Sequence, residues 1–176
     1  LTALNTAQEK SIREQIVFYK RHRELFQYGR FYCLAAPEAD HGGSWMVVSK
    51  DRRRAAVLEM TGLLQPNASM PPLRLAGLEE TYCYQVSLRQ QSVELDSFRT
   101  LLNHVLPLKL KADGMLVHLA GELYQMPCEQ ITFTASGDLL MHAGLRPPQR
   151  FCGTGYTDGV RPMPDFSARI WLLESN

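Results

Sequence analysis

The side chains that could do chemistry are scattered along the chain. The five histidines, His22, His41, His104, His118 and His142, stand singly, and no two share the i,i+2 or i,i+4 spacing that brings a pair onto one metal. Each is expected as an ordinary surface or core polar residue. The four cysteines, Cys33, Cys83, Cys128 and Cys152, form no CxxC pair, and no histidine accompanies them at zinc-finger spacing. They are expected as buried free thiols of a chain kept in a reducing, cytoplasmic compartment. Nucleophilic catalysis needs a Ser or Cys beside a base, and no serine sits in a G-x-S-x-G elbow. Gly153-Thr154-Gly155 lacks the following glycine and the strand-to-helix setting of a dinucleotide loop, and Glu79-Glu80 reads as a solvated acidic pair. The sequence therefore nominates no catalytic residue, no cofactor-binding residue and no metal ligand.

Trp45 and Trp171 are the remaining candidates, because an exposed indole face can stack on a sugar ring. Their neighbours, Met46-Val47-Val48 and Ile170 with Leu172-Leu173, are those of a strand packed into a core. Both are expected as packing residues.

The 176 residues carry 19 Lys+Arg and 18 Asp+Glu, a formal charge of +1, so the chain lacks the basic field that supplies affinity for phosphate backbones. No nucleic-acid partner is expected. Apolar runs such as 139–145 fall far short of the ~20 residues of a spanning helix, so no membrane association is expected either. With 45% hydrophobic and 21% charged residues the chain can build an ordinary core without disulfide or metal. It starts at Leu1 and reads as a piece of a longer polypeptide.

Two kinds of element must hold these residues. Residues 6–28 keep a helical rhythm through Ile12, Ile16, Tyr19 and Phe26, with Thr6 and Glu9 as a capping box and Gly29 as the stop. Glu9–Arg13, Lys10–Glu14 and Lys20–Glu24 are i,i+4 pairs for the wet side, and Val17, Phe18 and Leu25 widen the apolar face. After Gly29 the period falls toward 2. Runs at 31–37, 44–49, 55–62, 73–75, 81–88, 106–110, 115–119, 130–135 and 166–173 read as strands. Turn-rich pieces such as Asp40-His41-Gly42-Gly43, Pro66-Asn67-Ala68-Ser69 and Lys111-Ala112-Asp113-Gly114 separate them. A second helix is expected over 96–105 and a helical turn over 138–142, closed by Gly144. This pattern predicts a mainly β fold, an antiparallel β-sandwich preceded by one long α-helix.

The stretch Ile12-Arg13-Glu14-Gln15-Ile16-Val17-Phe18-Tyr19-Lys20, continuing through Arg23-Glu24-Leu25-Phe26-Gln27-Tyr28-Gly29-Arg30-Phe31-Tyr32, resembles the junction between barrel and C-terminal domain in bacterial α-galactosidases of glycoside hydrolase family 36. Trp45-Met46-Val47-Val48-Ser49, Leu73-Arg74-Leu75-Ala76-Gly77-Leu78, Ser136-Gly137-Asp138-Leu139-Leu140-Met141-His142-Ala143-Gly144-Leu145 and Asp165-Phe166-Ser167-Ala168-Arg169 follow in the same order. The segment 90–129 is longer than in simple members. The resemblance implies that residues 1–29 are the last helix of a catalytic (β/α)8 barrel and 30–176 a C-terminal antiparallel β-sandwich domain. It also implies a parent that releases terminal α-linked galactose from melibiose- and raffinose-type sugars with two barrel aspartates, one attacking the anomeric carbon and one serving as acid and then base. Neither aspartate's motif matches this chain, and no cofactor is implied. The partners implied are the barrel of its own polypeptide, the parent's α-galactoside substrate and further copies in a homo-oligomer. An autonomous carbohydrate-binding module and a pure assembly domain are the competing readings.

Overall fold

The computed structural model describes residues 6–38, 42–63, 71–89, 91–93, 126–128, 131–147 and 166–175. Helix α1 (Thr6–Tyr28) leads into strands β1 (Arg30–Glu38), β2 (Gly42–Val48), β3 (Arg54–Met60), β4 (Cys83–Leu88), β5 (Gln91–Val93), β6 (Met126–Cys128) and β7 (Thr132–Ser136). A short helix α2 (Gly137–His142) and the closing strand β8 (Ala168–Glu174) complete the described chain. The expectations over 96–105, 106–110 and 115–119, and the turns at 66–69 and 111–114, lie outside the described residues.

The antiparallel β architecture behind a long helix is the one the sequence predicts. Six strands form one sheet in the order β1-β2-β3-β8-β4-β7, and β5 pairs with β6 in a separate ribbon. Every pair is antiparallel. The run at 73–75 is no strand of this sheet. Leu73 makes a single bridge to Leu145, with both of its backbone groups bonded there.

Residues directly opposite one another in antiparallel strands share a face, so the register defines two faces. On one, Tyr32, Met46, Val57, Trp171 and Leu88 run across five strands, and Val48, Ala55, Leu173 and Val86 run parallel to them. These residues form the core cluster, joined by Leu75, Leu78, Leu140 and Leu145 from the segments that cover this face. Among the described residues the covering layer is thus coil and α2, a compact lid on a wide sheet. The lid is locked by side chains as well as by burial. Tyr84, fully buried, accepts the Glu79 N–H at 3.0 Å and donates to the Arg52 carbonyl at 2.7 Å, tying two turns to β4.

Helix α2 is short enough that its ends decide it. Ser136 is extended and its hydroxyl accepts the Leu139 N–H at 3.3 Å, a cap that leaves Asp138 in the first turn. Gly144 ends it at φ +87° with its N–H on the Leu139 carbonyl, and a Cβ there would stand 3.1 Å from the Leu73 backbone.

One row of the core face is polar. Ser44, Glu59 and Arg169 are buried in register across β2, β3 and β8. Arg169 Nη1 lies 3.7 Å from Glu59 Oε1, and the Trp171 indole N–H reaches Glu59 Oε2 at 3.5 Å. A buried pair adds little net stability over an apolar one, but removing one partner strands the other charge. A slip of one residue would also carry Arg169 to the opposite face, so the row fixes the β3–β8 register.

Trp171 and Trp45 therefore differ. Trp171 is fully buried at the centre of the core, whereas Trp45 pairs with Leu58 on the other face and is half-buried. Trp171→Ala is expected to lower the unfolding free energy by about 3–5 kcal/mol. Trp45→Ala is expected to cost clearly less, since only part of its area leaves water. Urea denaturation of both variants checks the ranking, and a Trp45 loss equal to the Trp171 loss contradicts this division of the sheet.

Candidate interaction face

On the reverse face of the sheet, Val47, Ala56, Leu172 and Ser87 run across β2, β3, β8 and β4. Helix α1 lies on this side. Its 23 residues are about 35 Å long at 1.5 Å per residue, more than the width of the strands beneath. The helix stops where Gly29 presses on β2: its N–H bonds the Leu25 carbonyl at 2.9 Å, and a Cβ would lie 2.6 Å from Val47 Cγ2. Only glycine permits this approach.

In the C-terminal half of α1 the side that faces the sheet is covered. Leu25 and His22 are buried, and Phe18 and Phe26 are half-buried around the imidazole, with ring centroids 4.7 and 6.1 Å from it. Burial, helped by the Arg21 charge, holds the His22 pKa below the ordinary histidine value. Glu24 turns away from Lys20 to meet Arg54 of β3 at 3.2 Å, so one of the expected helical pairs is replaced by a helix-to-sheet bridge. Glu9–Arg13 stands at 4.0 Å, fully on the wet side. Exposed pairs of this kind contribute about 0–1 kcal/mol.

The N-terminal half presents its apolar side chains outward. Ile12, Ile16 and Tyr19, one stripe at i, i+4 and i+7, are 42%, 48% and 46% exposed. Val17 is more exposed still, as are Tyr28 at the last position of the helix and Phe31 at the start of β1. Helix α1 begins at Thr6 itself, which places that residue inside the first turn where the sequence pattern set it just before.

The other singled-out residues do not converge. His142 is exposed on α2 and lies 2.9 Å from Asp138 Oδ1 one turn back. His41, His104, His118, Cys152 and Gly153-Thr154-Gly155 lie outside the described residues. Cys33 and Cys83 are exposed, which corrects the expectation of buried thiols. Both occupy strand positions whose side chains leave the core face, Cys33 opposite Trp45 and Cys83 next to buried Tyr84. Glu79 is not simply solvated, since it holds Arg52 at 3.0 Å, while Glu80 is exposed. Among the described residues no three His, Cys, Asp or Glu side chains gather as a metal site, and no helix is long and apolar enough to cross a membrane. Trp171 offers no ring face to a sugar.

The sheet order, the leading helix and the outward stripe can be compared with known proteins. Residues 43–173 match the glycosyl hydrolase family 36 C-terminal domain. The chain belongs to that family. It is similar to the α-galactosidase AgaA of Geobacillus stearothermophilus, 36% identical over 86 residues, and to α-galactosidase 1 of Pediococcus pentosaceus, 36% identical over 87. These stretches take in 49% and 48% of this chain but 12% of each relative. Among solved structures, the family 36 α-galactosidase AgaB of G. stearothermophilus superimposes with a TM-score of 0.64 at 26% identity, covering 100% of this chain and 17% of that one. A variant of AgaA crystallised with raffinose gives 0.63 at 25% identity over the same shares, and one with stachyose 0.63 at 26%. The chain thus spans about a sixth of the length of its solved relatives. The family 36 match starts at β2, and the structural likeness extends it back through α1.

The lowered pKa of the His22 imidazole, on the sheet-facing side of α1, gives the sign of a pH dependence. A lowered folded-state pKa means that the unfolded chain binds the proton first, so stability is complete above about pH 6.5 and falls as pH drops below it. His22→Leu is expected to flatten this part of the stability–pH curve. Urea midpoints between pH 7.5 and pH 5, compared with the unaltered chain, are the check. An unchanged slope would remove His22 as its source.

Proposed function

We propose that this chain is the C-terminal part of an α-galactosidase, with residues 1–29 the last helix of its catalytic barrel and 30–176 the β domain that caps and stabilises that barrel. The observation that carries this reading is the two-sided use of α1. One side is fastened to the sheet through Leu25, His22 and Arg54–Glu24, while Ile12, Ile16 and Tyr19 face outward with nothing from the described sheet over them. An apolar stripe exposed opposite a packed one is what a helix shared by two bodies requires.

The parent's substrate class is read from the relatives, whose structures hold raffinose and stachyose. Its chemistry is the retaining hydrolysis implied by the family resemblance, in which two aspartates about 5 Å apart act as nucleophile and as acid–base. Both belong to the barrel, so the role of this domain is mechanical. It covers apolar surface at the barrel's end and fixes the outer position of the last helix. The exposed thiols of Cys33 and Cys83 suit a reducing, cytoplasmic location. The remaining apolar surface around Phe31 and Tyr28 suits contact between subunits of a homo-oligomer.

The test compares the 176-residue chain with the full gene product on an aryl α-galactoside. The full product is expected to turn over and the chain alone to match the buffer blank. Turnover by the chain that survives repurification would contradict a non-catalytic domain, and an inactive, folded full product would contradict the parent activity. In the full product, Ile16→Glu is expected to lower the melting temperature markedly, because it places a charge in the contact with the barrel.

A further inference from the structure

Between the N-terminal half of α1 and strands β4 and β8 lies an open cleft of about 630 Å³. Four cations border it, Lys10, Arg13, Arg21 and Arg89, against two carboxylates, Glu14 and Glu174. Arg89 is the fixed point. Its backbone N–H bonds the Ile170 carbonyl at 2.8 Å, its guanidinium carbon sits 4.0 Å above the Phe18 ring, and Nη1 donates to Gln15 Oε1 at 2.9 Å. These contacts immobilise the side chain and use one of its five donors in a side-chain hydrogen bond. Burial pulls its pKa down, Glu14 opposing, which marks a guanidinium partly stripped of water. Glu14, on the same cleft, supplies an opposing charge, but among the described residues no carboxylate lies within 4 Å of the guanidinium. A half-desolvated guanidinium in a cationic cleft is complementary to a carboxylate, which it can take by two parallel hydrogen bonds.

We propose that this cleft seats an Asp or Glu side chain from the catalytic part of the same polypeptide, with Arg89 as its anchor. The inference rests on the reading of α1 as a barrel helix and adds a specific ionic contact to it. Val17, 66% exposed, borders the cleft, and Ile16 beside it lies on the outward stripe. Val17 is therefore an exposed apolar side chain at the mouth of the cleft, on a neighbouring face of the helix from the stripe. The relatives supply a second body, since this chain spans 17% of their length.

A crystal structure of the full-length enzyme decides both points separately. The expected result is a barrel carboxylate within 4 Å of the Arg89 guanidinium, with the barrel also covering Ile12, Ile16 and Tyr19. A covered stripe with Arg89 facing water, a backbone carbonyl, a second copy or a carboxylate from this chain overturns the inference and leaves the barrel reading intact. An uncovered stripe overturns the barrel reading itself. In the full-length enzyme, Arg89→Glu is expected to lower the melting temperature. Reversing the partner carboxylate to Arg in that background is expected to restore part of the loss. A double exchange no more stable than the sum of its single changes would show that the two charges do not interact, and would overturn the contact.

Discussion

The domain hangs on its last strand. β8 lies between β3 and β4, pairing along its whole length with the first and over four residues with the second. Without it the described sheet would be two pieces, β1-β2-β3 and β4-β7, each with an open edge. The pairing joins residues 54–60 to 168–174, so more than a hundred intervening residues must be closed into a loop before any of its bonds form. Loop closure of that size adds an entropic cost that grows slowly with length but must be met first. What offsets it is the packing of Trp171 and Leu173 into the core, with Arg169 against Glu59 setting the register.

The two faces that β8 completes are covered by different means. The core face closes with material from within the domain: coil around Leu75 and Leu78, α2 with Leu140, and Leu145 bridged to Leu73. On the reverse face the row Val47, Ala56, Leu172 and Ser87 runs beneath the helix, beside the larger pair Trp45 and Leu58. Helix α1 lies close at Gly29 and loses that closeness toward its N-terminus, where the cleft opens. The described sheet thus meets coil and α2 on one face and α1 on the other.

Among the described residues, the groups with unusual surroundings serve position: His22 packs among aromatic rings, where burial lowers its pKa, Tyr84 ties two turns together, and Arg89 is clamped over Phe18. Tyr84 and Arg89 have their partners on other elements, so each resists sliding of helix against sheet or coil against strand.

Much of the local structure could be read along the chain, because it follows from nearest neighbours. The long helix, its stop at Gly29, the Ser136-to-Gly144 helical turn and most strand positions follow from period and punctuation. The ribbon strands β5 and β6, three residues each, carry no period that could announce them. Leu73-Arg74-Leu75 has the alternation of a strand, yet it became part of the lid because its backbone bonds go to Leu145 and Leu140. Faces were also beyond local reading: Trp45 and Trp171 have the same apolar neighbours, and only the strand order puts one in the core and the other on the reverse side. Glu24 chose Arg54 over Lys20, and Arg89 found Phe18 and Gln15, through contacts 30 and 74 residues apart in the chain. Periodicity reports which side of a strand or helix is apolar, whereas which surface meets it depends on long-range pairing, and that is settled only when β8 closes the sheet.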